Sequence, residues 1–536
     1  MDNFTFWTDS NLHLHAFDIV KVEHIDGSYT FGAVRNISHI TDAQSFLTSY
    51  ISSDFGDPAA KLPTLRIGMN YAEASVSFNT KNIYTPVHND APVYLASQEE
   101  ILQALGLDRV QNPIVCGSLT MYEDTEDEII LPVNLNAKFI LGPEGAHLNI
   151  SGISGLAAKT SYAMFLMKSV QETYTSRNNE DSIAFVIFNV KGRDLMAIDR
   201  PDYSINQAEA EKYRSLGLTA EPFRNVRYYI PCGDHTSYLS DEDIEDYIRD
   251  GQLLKFKYCY EEDKESLEML FANIDDPLQT MESIISKIID ENDPDFRNVE
   301  TWGQLQEKVN SRSQKSQGVT GASSEISVLS WRKFKRIIDK VLRNDDMFGQ
   351  RAIPDKHECR LADELKTIKP NDVKVIDIAK LPEDKQAFVF GDAVRTIYRL
   401  KLGEYDSEPG VNPPSKIVIF IDELNKYASR DTPKSSPILR EILDVTERGR
   451  SLGVIMFGAE QFRSAIHQRV TGNCAAHAYG RTNAIETTNR DYSNFPDTYK
   501  NILTRLEQGE YLIQSPVFRT MLRIKFPRPI YKQFND

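Results

Sequence analysis

Cysteine is scarce in this chain. Five occur in 536 residues, at positions 116, 232, 259, 359 and 474, odd in number and never in CxxC spacing. That pattern speaks against a disulfide framework and against a cysteine-held zinc site, and reduced thiols in a cytoplasmic protein are expected. Long apolar runs are also missing. No stretch approaches the roughly 18 residues a membrane span needs, and the opening "MDNFTFWTDSNLHLHAFDIV" is polar throughout, so no membrane partner is expected. Basic charge is not in excess: 61 Lys and Arg stand against 78 Asp and Glu, a formal net charge of −17. This argues against a chain coated in nucleic acid, although a ring or groove can hold a local positive surface inside an acidic exterior. No zinc-finger, helix-turn-helix or RNP pattern occurs, so base-specific reading of nucleic acid is not expected.

What is present is an ordinary globular composition, 41% hydrophobic and 26% charged, in a chain long enough for two or three domains. Residues 1–140 hold short apolar stretches such as "TFGAVRNI", "TLRIGM" and "NPIVCGSLTMY" between turn signals. Short strands at such intervals predict a small β-barrel or sandwich, with "SQEEILQALGL" as an inserted helix. From 141 to 234 the rhythm becomes strand, helix, strand, the mark of an α/β domain. It breaks at about 200, and 235–350 reads as a mostly helical insertion containing a Gly/Ser/Gln-rich linker, "SRSQKSQGVTGASSE". The α/β pattern resumes near 372 and fills out a second part of the core over 351–520, leaving 521–536 as a basic, aromatic tail. Such a tail either docks on a neighbour or is solvated.

The stretch "HLNISGISGLAAKTSYAMFL" at 147–166 reads as a buried strand, a small-residue loop and the start of a helix. A phosphate-binding loop needs backbone N–H groups, a helix start, one lysine and one hydroxyl for Mg²⁺. Here Gly152, Ser154, Gly155, Leu156, Ala157, Ala158, Lys159, Thr160 and Ser161 would form it. Lys159 is placed for the β- and γ-phosphates of ATP, and Thr160 for the metal. The strict pattern wants glycine at 153 and 158, where this chain has Ile153 and Ala158. A plain strand-to-helix joint needs small residues too, so this stretch alone leaves both readings open. "SKIVIFIDELNKYAS" breaks the tie: five apolar residues, Ile417–Ile421, end in Asp422 and Glu423. Ligands bind at the carboxyl ends of such strands. Asp422 is the expected metal-holding acid and Glu423 the acid that polarises the attacking water. A further apolar strand, 453–458, leads to Gln461, placed to sense the γ-phosphate or orient water. Before it, Arg448 and Arg450 flank Gly449 on what reads as a short turn. An arginine there either acts in trans across a subunit boundary or is a solvated or ion-paired surface group.

Those elements in that order, behind an N-terminal β-domain, resemble the HerA/FtsK group of hexameric P-loop ATPases, and the HerA branch most. The resemblance covers 1–200 and 370–536. It implies a RecA-like P-loop ATPase core with a small N-terminal β-barrel, a helical insertion and a C-terminal segment that braces the adjacent subunit. It also implies ATP and Mg²⁺ as ligands, a homohexameric ring, and hydrolysis coupled to movement along duplex DNA. Carried over, Lys159 and Thr160 match the phosphate-loop pair, Asp422 and Glu423 the two acids, Gln461 the glutamine after the next strand, and Arg448 or Arg450 the trans-acting arginine. Arg481 matches a basic position near the boundary. Asn189 stands where the family often has an acid, with Asp194 nearby. The loop spelling is similar to that of stand-alone bacterial HerA-like ATPases that work beside a nuclease or NAD-consuming effector in phage defence. The alternative is a slow-hydrolysing, nucleotide-binding scaffold that activates such an effector without moving on DNA. "SWRKFKRIIDKVLRN" (330–344) offers basic residues for DNA backbone contact, or is an ordinary amphipathic helix with a solvated basic face.

Overall fold

The computed structural model describes every residue except 1, 10, 25, 44, 58, 60–67, 84, 154–158, 176–180, 277, 315–325, 344, 406–411 and 535–536. The chain forms two compact units, Met1–Asn136 with Asn483–Phe526, and Ala137–Thr482 with Pro527–Asp536. Among the described residues no helix is long and apolar enough to cross a membrane.

The first unit opens with five strands: β1 (Asn3–Thr8), β2 (Ile19–Glu23), β3 (Tyr29–Thr41), β4 (Gly68–Asn79) and β5 (Val93–Leu95). They form one antiparallel sheet in the order β1-β4-β3-β2-β5, the predicted barrel-like element. Alternation explains most of it: Phe4, Phe6, Val20, Val22, Ala72 and Ala74 share one small core, while Thr5, Trp7, Glu23 and Glu73 beside them are exposed. The predicted helix spans Gln98–Leu105, and Glu100 in its first turn pairs with Lys21 of β2 at 2.8 Å. A hairpin follows, β6 (Pro113–Met121) and β7 (Ile129–Asn136).

The second unit is built on a parallel sheet. Its strands are β8 (Leu148–Ser151), β9 (Ile183–Asn189), β10 (Val226–Pro231), β11 (Leu253–Cys259), β12 (Phe348–Gly349), β13 (Glu358–Arg360), β14 (Val373–Asp377), β15 (Lys416–Ile421), β16 (Val454–Glu460) and β17 (Ala476–Tyr479). They run β12-β11-β10-β14-β9-β15-β16-β8-β17, with β13 also on β11. Every residue of β9 and β16 is buried, as a near-continuous apolar run in the middle of a two-sided sheet requires. This is the expected α/β core.

Two expectations for the middle of the chain change. The alternation does not stop at 200: β10 and β11 extend the same parallel sheet, and β11 lies inside the stretch read as a helical insertion. Their outward residues are polar (Arg227, Lys255, Lys257), which hid them as core strands. The helices Asp241–Arg249, Thr280–Ile289, Trp302–Ser313 and Val328–Leu342 do make the region mostly helical. The last three of these helices share one core cluster with the sheet strands, Phe271 stacking on Phe334 at 4.8 Å. Of the expected linker, Ser311–Ser313 finish a helix and 315–325 fall outside the described residues.

The end of the chain also divides differently from the sequence reading. β18 (Glu510–Gln514) and β19 (Leu522–Lys525) return to the first unit, where β19 pairs antiparallel with β18 and meets β6. Only the residues from Pro527 belong to the second unit. There Ile530 O accepts from Asp202 N at 3.0 Å, Lys532 N donates to Arg200 O at 2.8 Å, and the Tyr531 side chain is buried. Residues 530–532 of the tail are thus seated on their own chain.

Candidate active site

Three neighbouring parallel strands end together. β16 lies between β15 and β8, with Gly458 opposite Ile421 on one side and Glu460 opposite Ser151 on the other. The residues that leave these strands at their carboxyl ends are Asp422 and Glu423, Gln461, and Gly152, whose N–H donates to Glu460 O at 3.1 Å. Gly458 is required by close approach: a Cβ there would sit 2.7 Å from Leu424 Cδ2, the side chain that follows Glu423. Glycine therefore lets the segment carrying the two acids lie against β16.

Lys159 opens the helix Lys159–Thr175 and is buried. Its Nζ donates to Glu423 Oε1 at 2.7 Å and lies 3.4 Å from Asp422 Oδ1. Thr160 Oγ1 donates to Asp422 Oδ2 at 2.6 Å. Gln461 Nε2 donates to Glu423 Oε1 at 3.3 Å. Glu423 has a left-handed backbone, φ 53 and ψ 47, a conformation that costs a non-glycine residue of order 1–2 kcal/mol and persists only where its surroundings over-determine it. Here the Lys159 contact and the short helix Leu424–Lys426 do so. Burial pushes the Glu423 carboxyl up, but the Lys159 hydrogen bond and charge, with Gln461, outweigh it and hold the group below the usual glutamate value.

The structure thus brings Lys159, Thr160, Asp422, Glu423 and Gln461 into one cluster. Ser161 is half-buried on the same helix and Gly152 is buried. Ser154, Gly155, Leu156, Ala157 and Ala158 lie outside the described residues. Arg448 and Arg450 are not on a turn: both sit in the last turns of the helix Pro437–Leu452, which Gly453 ends in a left-handed cap. Arg448 is exposed and lies 3.8 Å from Asp444, while Arg450 donates to Glu144 O at 3.1 Å. Neither makes a hydrogen bond or ion pair to Lys159, Thr160, Asp422 or Glu423. Arg481 contributes its carbonyl, which accepts from Ile153 N at 2.9 Å. In the basic helix Val328–Leu342, Trp331, Phe334 and Ile338 face the core, Lys340 pairs with Asp384, and Lys335 donates to Asn310 at 2.7 Å. That is an amphipathic helix with its basic face outward.

Sequence reasoning singled out Asn189 but missed its partner Asp377, and missed Glu460. Asn189 Nδ2 donates to Asp377 Oδ1 at 2.8 Å, at the end of the adjoining strand β14. "VKVID" carried the signal, another apolar strand ending in an acid. The Glu in "FGAEQ" was a second signal, a charged residue inside a buried strand.

Oxygen donors a hydrogen-bond length apart on Thr160 and Asp422 suit a hard divalent cation such as Mg²⁺, which binds few protein groups and keeps waters or phosphate oxygens. Lys159 would hold a phosphate oxygen and Glu423 would take a proton from water.

No protein-family model matches the sequence, and no curated protein sequence does. Among solved structures, the chain is similar to VirB4 of Thermoanaerobacter pseudethanolicus, at 14% identity and a TM-score of 0.43, over 77% of this chain and 96% of that one. It is similar to the bacterial conjugative coupling protein TrwBdeltaN70, at 12% identity and a TM-score of 0.39, over 75% of this chain and 89% of that one. A shorter likeness, 31% of this chain and 71% of the other, is to the genome packaging NTPase B204 from Sulfolobus turreted icosahedral virus 2 in complex with ATP-gammaS, at 15% identity and a TM-score of 0.22.

Proposed function

We propose that this chain is a ring-forming ATPase of the HerA-like kind that binds and hydrolyses ATP, moves along duplex DNA by backbone contact, and assembles with and activates an effector in antiviral defence. The observation that carries the catalytic part is the cluster at the ends of β8, β15 and β16, where Lys159 bridges Glu423 and Asp422 and Asp422 also holds Thr160. Four side chains from segments some 260 residues apart meet in the arrangement that phosphoryl transfer to water needs. Lys159 holds the phosphates, Gln461 orients water, and Glu423 accepts its proton. Mg²⁺, where bound, supplies charge neutralisation on the triphosphate, held through Thr160 and Asp422. Arg448 or Arg450, remote from the acids of its own chain, acts on the site of the next subunit.

The test is steady-state ATP turnover of the purified protein, with and without linear duplex DNA, beside Glu423→Gln. Turnover that DNA stimulates and that the variant loses supports the motor. A second reading, the slow nucleotide-binding scaffold, is favoured by Asn189, whose amide is taken up by Asp377 and the Gly192 carbonyl at the place of an expected acid. Slow turnover indifferent to DNA selects it. Absence of both nucleotide binding and turnover sinks both readings.

A further inference from the structure

A second polar layer lies behind the cluster. β8 is flanked by β16 and β17, and its Asn149 stands opposite Gly458 on one side and His477 on the other. Asn149 is fully buried, and its amide is bonded at both its nitrogen and its oxygen. Its Nδ2 donates to Glu460 Oε1 at 2.8 Å, and its Oδ1 accepts from Arg463 at 2.7 Å. The same Arg463 nitrogen lies 2.9 Å from His477 Nδ1. Glu460 has no exposed surface, and its Oε2 has no hydrogen-bond partner among the described residues. A buried carboxyl in a parallel strand costs several kcal/mol unless it is neutral or paired. A core position of β16 would ordinarily be apolar, as Ala459 and the residues before it are.

Two neighbours indicate what this group does. Its backbone carbonyl accepts from Gly152, where the chain leaves β8. The next residue along is Gln461, whose amide touches Glu423. Glu460 is therefore fastened at both its carbonyl and its carboxyl to β8, and Gln461 follows it directly.

Resting on the ATPase reading, we infer that Glu460 and Asn149 form a positioning pair that sets Gln461 against the start of the phosphate loop, with Arg463 and His477 completing it. These residues bind no phosphate; they fix the distance between β8, which carries the loop, and Gln461, which orients water. Burial pushes the Glu460 carboxyl up to about 8, against the pull of Asn149, Arg463 and Lys159. At neutral pH it is thus mainly a neutral acid, and a carboxamide replaces it closely.

The experiment measures kcat and the dissociation constant of a fluorescent ATP analogue for wild type, Glu460→Ala, Glu460→Gln, Asn149→Ala, Gln461→Ala and the Glu460→Ala/Gln461→Ala double variant. Glu460→Ala and Asn149→Ala are expected to lower kcat about tenfold with the analogue's affinity within about twofold of wild type. Glu460→Gln restores kcat, and Glu460→Ala costs nothing further once Gln461 is gone. Unchanged kcat in Glu460→Ala overturns the inference. So does a loss of affinity that parallels the loss of kcat, failure of Glu460→Gln to restore kcat, or full multiplication of the two single effects in the double variant. In those cases wild-type turnover leaves the ATPase reading intact. A wild type that neither binds the analogue nor turns ATP over removes that reading and this inference together.

Discussion

At the scale of single residues, Lys159 serves two acids at once, and removing it has two separate consequences. Lys159→Ala is expected to abolish binding of a fluorescent ATP analogue. It also leaves Glu423 and Asp422 side by side in a buried place without their cation, which costs on the order of 3 kcal/mol, visible as a lower melting temperature without nucleotide. Glu423→Gln keeps the shape and the binding but loses the proton acceptor, so turnover should fall about 10²–10⁴-fold while analogue affinity holds. The pH dependence follows from the direction of each shift. Glu423 is held below its ordinary value of 4.5, so its contribution to stability is complete above that pH and is lost as the pH falls through the lower, folded value. Glu460 is the opposite case. Its proton is retained on folding, so the folded state loses stability as the pH rises from 4.5 to about 8 and no further beyond. The melting temperature of Glu460→Gln relative to wild type should therefore climb across that window; a flat difference would show that Glu460 is ionised throughout. Asp422, Glu423 and Gln461 were legible because each follows a strand that announces itself, and Lys159 and Thr160 because a small-residue loop leads from such a strand to the helix they open. Asn149 was not, since its partner Glu460 lies 311 positions away and nothing local distinguishes a buried asparagine from an exposed one.

At the scale of elements, buried strands were the legible ones. β9, β15 and β16 are apolar along nearly their whole length because both faces are covered. β10 escaped notice as a six-residue strand interrupted by Arg227, and β11 since Lys255 and Lys257 break its apolar run in a stretch that read as an insertion. The arginines were misplaced for a different reason. "ERGRSLG" contains two glycines and looks like a turn, yet Gly449 is buried inside the helix against Val454 and only Gly453 ends it. At Gly453 φ is 76, and a Cβ would collide with the Ser415 carbonyl oxygen at the entrance to β15. Gly453→Ala is accordingly expected to destabilise the second unit by at least about 1–3 kcal/mol, through the left-handed backbone and the clash together. Thermal melting checks it, and a melting temperature equal to wild type would contradict this account of the helix end.

At the scale of the whole molecule, the chain divides into two compact units, each holding a buried apolar cluster, and each is expected to unfold in its own step. Calorimetry is expected to resolve two transitions, and a tight-binding ATP analogue should raise only that of the second unit, which holds the cluster. A single transition that shifts as a whole would show the units to be thermodynamically one. Assembly is tested by mixing: Lys159→Ala subunits combined with Arg448→Ala or Arg450→Ala subunits should regain part of the activity that each lacks alone. No recovery at any ratio would place the whole site within one chain. The division of the chain ends was invisible in the sequence, because the pairing of β19 with β6 joins Lys525 to Ser118, 407 positions apart, and no local pattern records so distant a partner. That separation also orders events on the ribosome. At about 5–20 residues per second, β6 emerges roughly 20–80 s before the strand that borders it, and the second unit has all but its last ten residues in the interval. The first unit to be started thus closes only near the end of synthesis, its sheet edge open meanwhile to any other strand, and a premature stop near the end would be felt at the beginning.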